Sequence, residues 1–91
     1  MINKIENLRK TIDNIDISIL QLLVKRKYLC IEVGKIKRKM DKKINDDIRE
    51  QQIIKRLKNL AKRRNLNEKF VSNLYRLILK QSKKEQKHVI I

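Results

Sequence analysis

The sequence predicts an all-α fold with three helices in a single domain covering residues 1–91. Ninety-one residues are one small domain's worth of chain, and 41% hydrophobic with 38% charged residues is a typical globular composition. With one glycine and no proline, the chain lacks the usual turn residues. Apolar residues instead recur at alternating steps of three and four, which is helical periodicity. We expect a core of about residues 5–86, with residues 87–91 as a tail.

The first helix is predicted to be very long, from Ile5 to Met40. Its apolar positions form a stripe that we call the apolar seam: Ile5, Leu8, Ile12, Ile15, Ile19, Leu22, Leu29, Val33, Ile36 and Met40. At 1.5 Å per residue the helix is roughly 54 Å long, whereas a compact chain of this size has a radius of gyration of about 12 Å. The helix must therefore project from its own chain. Because soluble monomers avoid such exposed apolar faces, we expect a dimer formed along this helix.

A second helix is predicted after a polar break at residues 41–45. Asn45 or Asp46 is well placed to cap it, and it should end near Arg63. Glu50 and Asp46 lie on its apolar stripe, one and two turns before the apolar residues. Those residues are Ile53, Ile54, Leu57, Leu60 and Ala61.

A third helix is predicted after a second break at residues 64–67, with Asn67 as its cap and an end near Gln86. Ser82 and Gln86 continue its stripe at steps of four, so the apolar face becomes polar over the last two turns. This pattern is typical either of a polar pocket or of a fraying helix end. The apolar residues of the stripe are Phe70, Val71, Leu74, Leu77 and Ile78.

The composition excludes several classes of protein. A net charge of +15 fits an anionic partner or a lysine-rich solvated surface, but only Tyr28, Phe70 and Tyr75 are available to stack on bases, which argues against nucleic acid. A lone Cys30 and a lone His88 provide neither a disulfide nor a zinc site. No apolar run approaches the ~18 residues of a membrane span, and no secretory signal is recognisable. We expect a cytoplasmic protein with no membrane segment.

Two cations of the first helix are placed to share one anion. Arg26 falls inside the apolar seam between Leu22 and Leu29, where it needs an acidic partner, an anionic ligand or a path along its stem to solvent. Lys37 lies 11 residues further on, roughly 16 Å along the axis on nearly the same side, although an ordinary surface lysine is the alternative. With Glu50 and the polar end of the third helix, these cations suit a small polyanion that carries a hydroxyl group.

Several segments form one pattern in fixed register. They are residues 8–16 (LRKTIDNID), Arg26, residues 32–37 (EVGKIK) and residues 46–50 (DDIRE), followed by Ser82 and Gln86. This pattern strongly resembles the all-helical class of chorismate mutase over about residues 5–86. Its specificity lies in the joint spacing, since the first segment is common in helical proteins. Residues 41–45 depart from it, because they lack the proline that some members carry.

The resemblance implies an enzyme that rearranges chorismate to prephenate in phenylalanine and tyrosine biosynthesis, as an intertwined antiparallel homodimer. Arg9 and Arg26 match the arginines that hold the carboxylates of the chorismate dianion. Ser82 matches a polar contact near the ring carboxylate. Lys37 and Gln86 match the catalytic pair that donates hydrogen bonds to the ether oxygen.

The resemblance also assigns the other end of the site. Glu50 matches the acceptor for the ring hydroxyl, while Asp46 and Arg49 match positions that border this hydroxyl and support the site. No cofactor and no metal ion are implied. Arg9 and Lys37 are 28 residues apart on one helix, roughly 42 Å, which is too far to bind one chorismate. Arg9 is therefore expected to serve the partner's site.

Two rival functions are compatible with the sequence. An isochorismate-pyruvate lyase shares this fold, although Asp46 and Glu50 together favour the mutase. A basic helical dimer that binds nucleic acid is the rival from another class, and the net charge of +15 is its only positive evidence.

Overall fold

A computed structural model describes residues 3–44 and 46–87 of the chain, and they form three helices joined by short connections. The helices are α1 (Asn3–Lys39), α2 (Asp47–Arg63) and α3 (Glu68–Lys87). The predicted all-α fold with a very long first helix is confirmed, and each predicted end lies within two residues of the observed one. Asn45, one of the two proposed caps, and residues 88–91 of the proposed tail lie outside the described residues.

The long helix α1 projects from the rest of the chain, as its predicted length required. Its 37 residues correspond to roughly 56 Å, and the described chain measures 60 × 29 × 14 Å with a radius of gyration of 17.0 Å. Every side chain of the apolar seam is at least 42% exposed. The chain by itself therefore leaves an apolar stripe along the whole of α1 without cover.

The helix α3 holds the fold together because it packs against both α1 and α2. The buried apolar residues are Ile53 and Ala61 of α2 with Val71 and Leu79 of α3. On α1 the only buried residue is Gly34, among the described residues. Its missing side chain allows a neighbouring backbone to approach closely. Gly34 lines a small cavity together with Gln86, which lies near the end of α3.

Only part of the predicted apolar face of α3 is buried within the chain. Val71 is buried, but Phe70 is 59% and Leu77 67% exposed, whereas Ser72 and Leu79 are buried instead. The reason is that α3 contacts two helices at once, so the directions of α1 and α2 decide which strip of α3 is covered. Phe70 and Leu77 add to the apolar surface that the single chain exposes.

The helix ends explain how a chain without proline and with a single glycine can turn. The side chain of Asp46 caps α2 by accepting a 3.0 Å hydrogen bond from the backbone N–H of Arg49, and Asn67 caps α3 by accepting one of 2.9 Å from Phe70. Asp41 and Asn65, at φ 53° and 58°, take the left-handed conformation after α1 and α2, which Asp and Asn tolerate better than most residues. No described helix is long and apolar enough to cross a membrane.

Candidate active site

All three helices contribute to a cleft of about 510 Å³. Seven of the eight site residues expected from the sequence line it: Arg26, Lys37, Asp46, Arg49, Glu50, Ser82 and Gln86. The first two come from α1, the next three from the cap and first turn of α2, and the last two from the end of α3. The structure thus brings together polar residues that the sequence distributes over three separate helices.

Arg26 is anchored to α3 at one wall of the cleft. Its Nη1 donates to the hydroxyl of Ser82, a buried residue, and this hydroxyl donates in turn to the carbonyl of Ile78 at 2.9 Å. The same Nη1 lies 3.9 Å from the Sγ of Cys30. Because a guanidinium has five N–H donors, fixing one edge orients the group and leaves further donors for an anionic ligand.

Lys37 and Gln86 meet at another wall of the cleft. The Nζ of Lys37 donates to the Oε1 of Gln86 at 3.3 Å and to the carbonyl of Ile44 at 3.1 Å. An ammonium has three donors, so two of them fix its position and one more is available. Since the amide oxygen of Gln86 faces the ammonium, its NH₂ group is the end that can donate to a ligand.

The start of α2 supplies the acidic part of the cleft. Asp46 caps the helix, and this cap orients the first turn, from which Arg49 and Glu50 reach the cleft. The Oε1 of Glu50 forms a salt bridge of 3.0 Å with the Nζ of Lys83, and the two side chains are 25% and 32% exposed. Glu50 is therefore a partly buried carboxylate with one oxygen already paired.

Lys83 is a charged residue of this cleft that sequence reasoning missed. It is one of seventeen lysines, and nothing in its position on α3 indicates that the fold brings it to Glu50, 33 residues earlier. Ile44, Ile53 and Leu79, which also line the cleft, were not expected there either.

Arg9 is the one expected site residue that does not line the cleft. It lies on the exposed N-terminal part of α1, and the continuous helix keeps it roughly 42 Å from Lys37. No arrangement of this single chain brings these two cations to one small ligand.

A larger groove of about 780 Å³ lies between α2 and α3. Of the expected site residues it contains only Glu50, which it shares with the cleft together with Lys83 and Leu79. The groove is larger, but the cleft gathers the chemically useful groups, so we take the cleft as the site. In residues 3–44 and 46–87 no cluster of three His, Cys, Asp or Glu side chains is placed to hold a metal ion.

Comparison with known proteins shows the family of the chain. Residues 8–87 match the family model of chorismate mutase type II. The chain is 34% identical over 90 residues to a chorismate mutase of Methanocaldococcus jannaschii. This match covers 99% of this chain and 91% of that protein. The chain therefore belongs to the type II chorismate mutase family.

Two bifunctional relatives are much longer. The chain is 38% identical over 88 residues to a bifunctional chorismate mutase/prephenate dehydratase of Buchnera aphidicola subsp. Schizaphis graminum, covering 97% of this chain and 23% of that protein. It is 34% identical over 80 residues to the protein of the same description in Escherichia coli K12, and this match covers 88% of this chain and 21% of that protein. This chain thus spans between a fifth and a quarter of these two relatives and corresponds to a chorismate mutase domain.

Proposed function

We propose that the chain catalyses the intramolecular rearrangement of chorismate to prephenate, a step of phenylalanine and tyrosine biosynthesis. The observation that carries this proposal is the convergence of Arg26, Lys37, Glu50 and Gln86 on one cleft, in a member of the chorismate mutase family. The reaction breaks a C–O bond and forms a C–C bond within one molecule. It requires neither a nucleophile nor a proton transfer, so positioned charges and hydrogen-bond donors are sufficient.

Lys37 and Gln86 are the proposed catalytic residues. When the C–O bond breaks before the C–C bond is complete, negative charge develops on the ether oxygen, and donors already in place there bind the transition state better than the ground state. The contact between the two side chains holds both groups before substrate arrives. A typical rate acceleration of ~10⁶ corresponds to about 8 kcal/mol, which this donor pair and the orientation of the substrate would supply together.

Arg26 and Arg9 of the partner subunit are the proposed clamp for the two carboxylates. Holding both carboxylates keeps the substrate side chain over the ring, and this orientation removes part of the entropic barrier. Ser82 supports the clamp by holding Arg26. Its hydroxyl hydrogen is engaged by Ile78, so a direct contact of Ser82 with the ring carboxylate requires the hydroxyl to turn.

Glu50 is the proposed acceptor for the ring hydroxyl of chorismate. Its second carboxylate oxygen, Oε2, can accept a hydrogen bond while Oε1 stays with its lysine partner. Asp46 and Arg49 border this position and support the first turn of α2.

The functional unit is proposed to be an intertwined antiparallel homodimer. Its support is the exposed apolar seam and the distance of Arg9 from the cleft. The middle of α1 falls at residue 21, so an antiparallel partner with its two-fold axis there places its residue 9 opposite residue 33. This is between Arg26 and Lys37, where a second arginine completes the clamp.

Two further expectations stay predictions. Residues 1–91 are proposed to form one catalytic domain, and its proposed location is the cytoplasm. Nothing in the cleft favours the lyase or nucleic-acid alternatives over the mutase.

The test is to incubate the purified chain separately with chorismate and with isochorismate. We expect chorismate to be consumed, with prephenate identified by NMR as an isomeric product and without release of pyruvate. Release of pyruvate from isochorismate alone would assign the lyase activity. If neither substrate reacts and the chain binds duplex DNA with an affinity that falls steeply with salt, the nucleic-acid alternative is correct.

A further inference from the structure

We propose that Lys83 is a positioning residue that holds the carboxylate of Glu50 in place for the ring hydroxyl of the substrate. This inference rests on the proposed function and extends it to a residue of α3 that the sequence pattern does not include. The Nζ of Lys83 lies 3.0 Å from the Oε1 of Glu50, and this contact joins α3 to the first turn of α2.

The ion pair of Glu50 and Lys83 is partly buried, so its attraction is screened less by water than that of a surface ion pair. The side chains of Glu50 and Lys83 are 25% and 32% exposed, so water screens them less than it screens the exposed pair of Lys35 and Glu32, at 48% and 63%. An ordered lysine at Oε1 restricts the rotation of the carboxylate. The remaining oxygen of Glu50 is then kept available for one acceptor contact.

The charge of Lys83 has a second consequence for this cleft. Chorismate carries two carboxylates, and an unneutralised Glu50 in the same cleft would repel it. Lys83 offsets this repulsion beside the one acidic group that the site uses to recognise a hydroxyl. Since the hydroxyl contact exists both before and during the reaction, its loss weakens the binding of substrate and transition state alike.

The variant Lys83→Met tests the role because it removes the ammonium and keeps an unbranched side chain. We expect kcat/KM for chorismate to fall about tenfold, mainly through a higher KM. Lys83→Arg keeps a cation that can reach Glu50 and should restore kcat/KM to within about twofold of the wild type. Lys84→Met, an exposed neighbour on α3, is the matched control and should retain the wild-type values.

A double-mutant cycle separates positioning from a direct contact with the substrate. If Lys83 acts through Glu50, Lys83→Met should cause less than about a twofold further loss in a Glu50→Gln background. A full additional tenfold loss there, or wild-type kinetics for Lys83→Met alone, overturns the positioning role while the wild-type chain still converts chorismate. A wild-type chain that does not convert chorismate overturns the proposed function itself, and the role of Lys83 with it.

Discussion

At the level of single residues, the proposed catalytic donors are in place before a substrate binds. The ammonium of Lys37 is held by the carbonyl of Ile44 and by the amide oxygen of Gln86. These two contacts come from the connection after α1 and from the end of α3. The position of Lys37 is therefore determined by the fold and not by the flexible stem of the side chain.

Lys37→Ala is expected to lower kcat by at least ~10²-fold, because it removes a donor to the oxygen on which charge develops. Lys35→Ala, which changes an exposed lysine two residues away, should have less than a twofold effect. Steady-state kinetics with chorismate measure both. A loss of tenfold or less for Lys37→Ala would contradict its catalytic role.

Gln86→Glu is expected to give an enzyme that is active only at acidic pH. The amide of Gln86 has no proton to lose near neutrality, so the wild-type rate should persist through neutral pH. A carboxyl group in its place donates a hydrogen bond only while it is protonated, so the rate of the variant should rise as the pH falls. The pH profile of kcat/KM checks this, and parallel profiles for the two proteins would refute the donor role of Gln86.

Seven of the eight side chains proposed from the sequence line the cleft, but their contacts could not be predicted from it. Arg26 is recognisable because a cation interrupts an apolar seam, and Gln86 because it extends a helical stripe. The contacts of Lys83 with Glu50 and of the Ile44 carbonyl with Lys37 could not be predicted from the sequence. They form only when α2, α3 and the connection after α1 pack together.

At the level of helices, the cap of α2 connects local stability to the site. The carboxylate of Asp46 accepts the N–H of Arg49 and so orients the turn that carries Glu50. Helix ends were predictable to within two residues because Asp46 and Asn67 are strong N-cap residues. The buried strip of α3 was less predictable, because the packing of two other helices determines it and periodicity does not.

Asp46→Ala is expected to lower the free energy of unfolding by about 1 kcal/mol, as for the loss of other N-caps, and to reduce activity through the disturbed first turn. Asp46→Asn keeps an oxygen that can accept the same hydrogen bond, so its stability should stay close to that of the wild type. Urea unfolding at a fixed protein concentration, with kinetics on the same samples, measures both effects. Equal destabilisation by the two substitutions would show that the cap is not the source of the stability.

At the level of the whole molecule, α1 extends well beyond the part of the chain that packs against it. Its apolar seam is uncovered, and the cleft contains a single arginine on the α1 side, Arg26. Both observations favour a dimer whose sites are each built from two chains. The length of α1 was predictable from its periodicity, whereas the way a partner lies on it was predicted only through the family resemblance.

Mixing two inactive variants tests this shared site. Arg9→Ala and Lys37→Ala homodimers should each be nearly inactive, because every cleft lacks one required cation. Subunit exchange between them produces heterodimers with one intact cleft and one doubly damaged cleft. With random pairing at equal amounts, about a quarter of the wild-type activity should return. If subunits demonstrably exchange and no activity returns, the shared-site architecture is wrong.

In the proposed dimer, the placement of Arg9 and Lys37 at opposite ends of one continuous helix would also decide how a defective copy behaves in a cell that makes both forms. A chain that lacks Lys37 would have an inactive cleft of its own, while its Arg9 would complete the cleft of an intact partner. A chain that lacks Arg9 would leave its partner's cleft incomplete, while its own cleft would be completed by that partner. Either lesion would therefore remove one cleft for each defective chain, so neither allele would be dominant and the total activity would follow the fraction of intact chains.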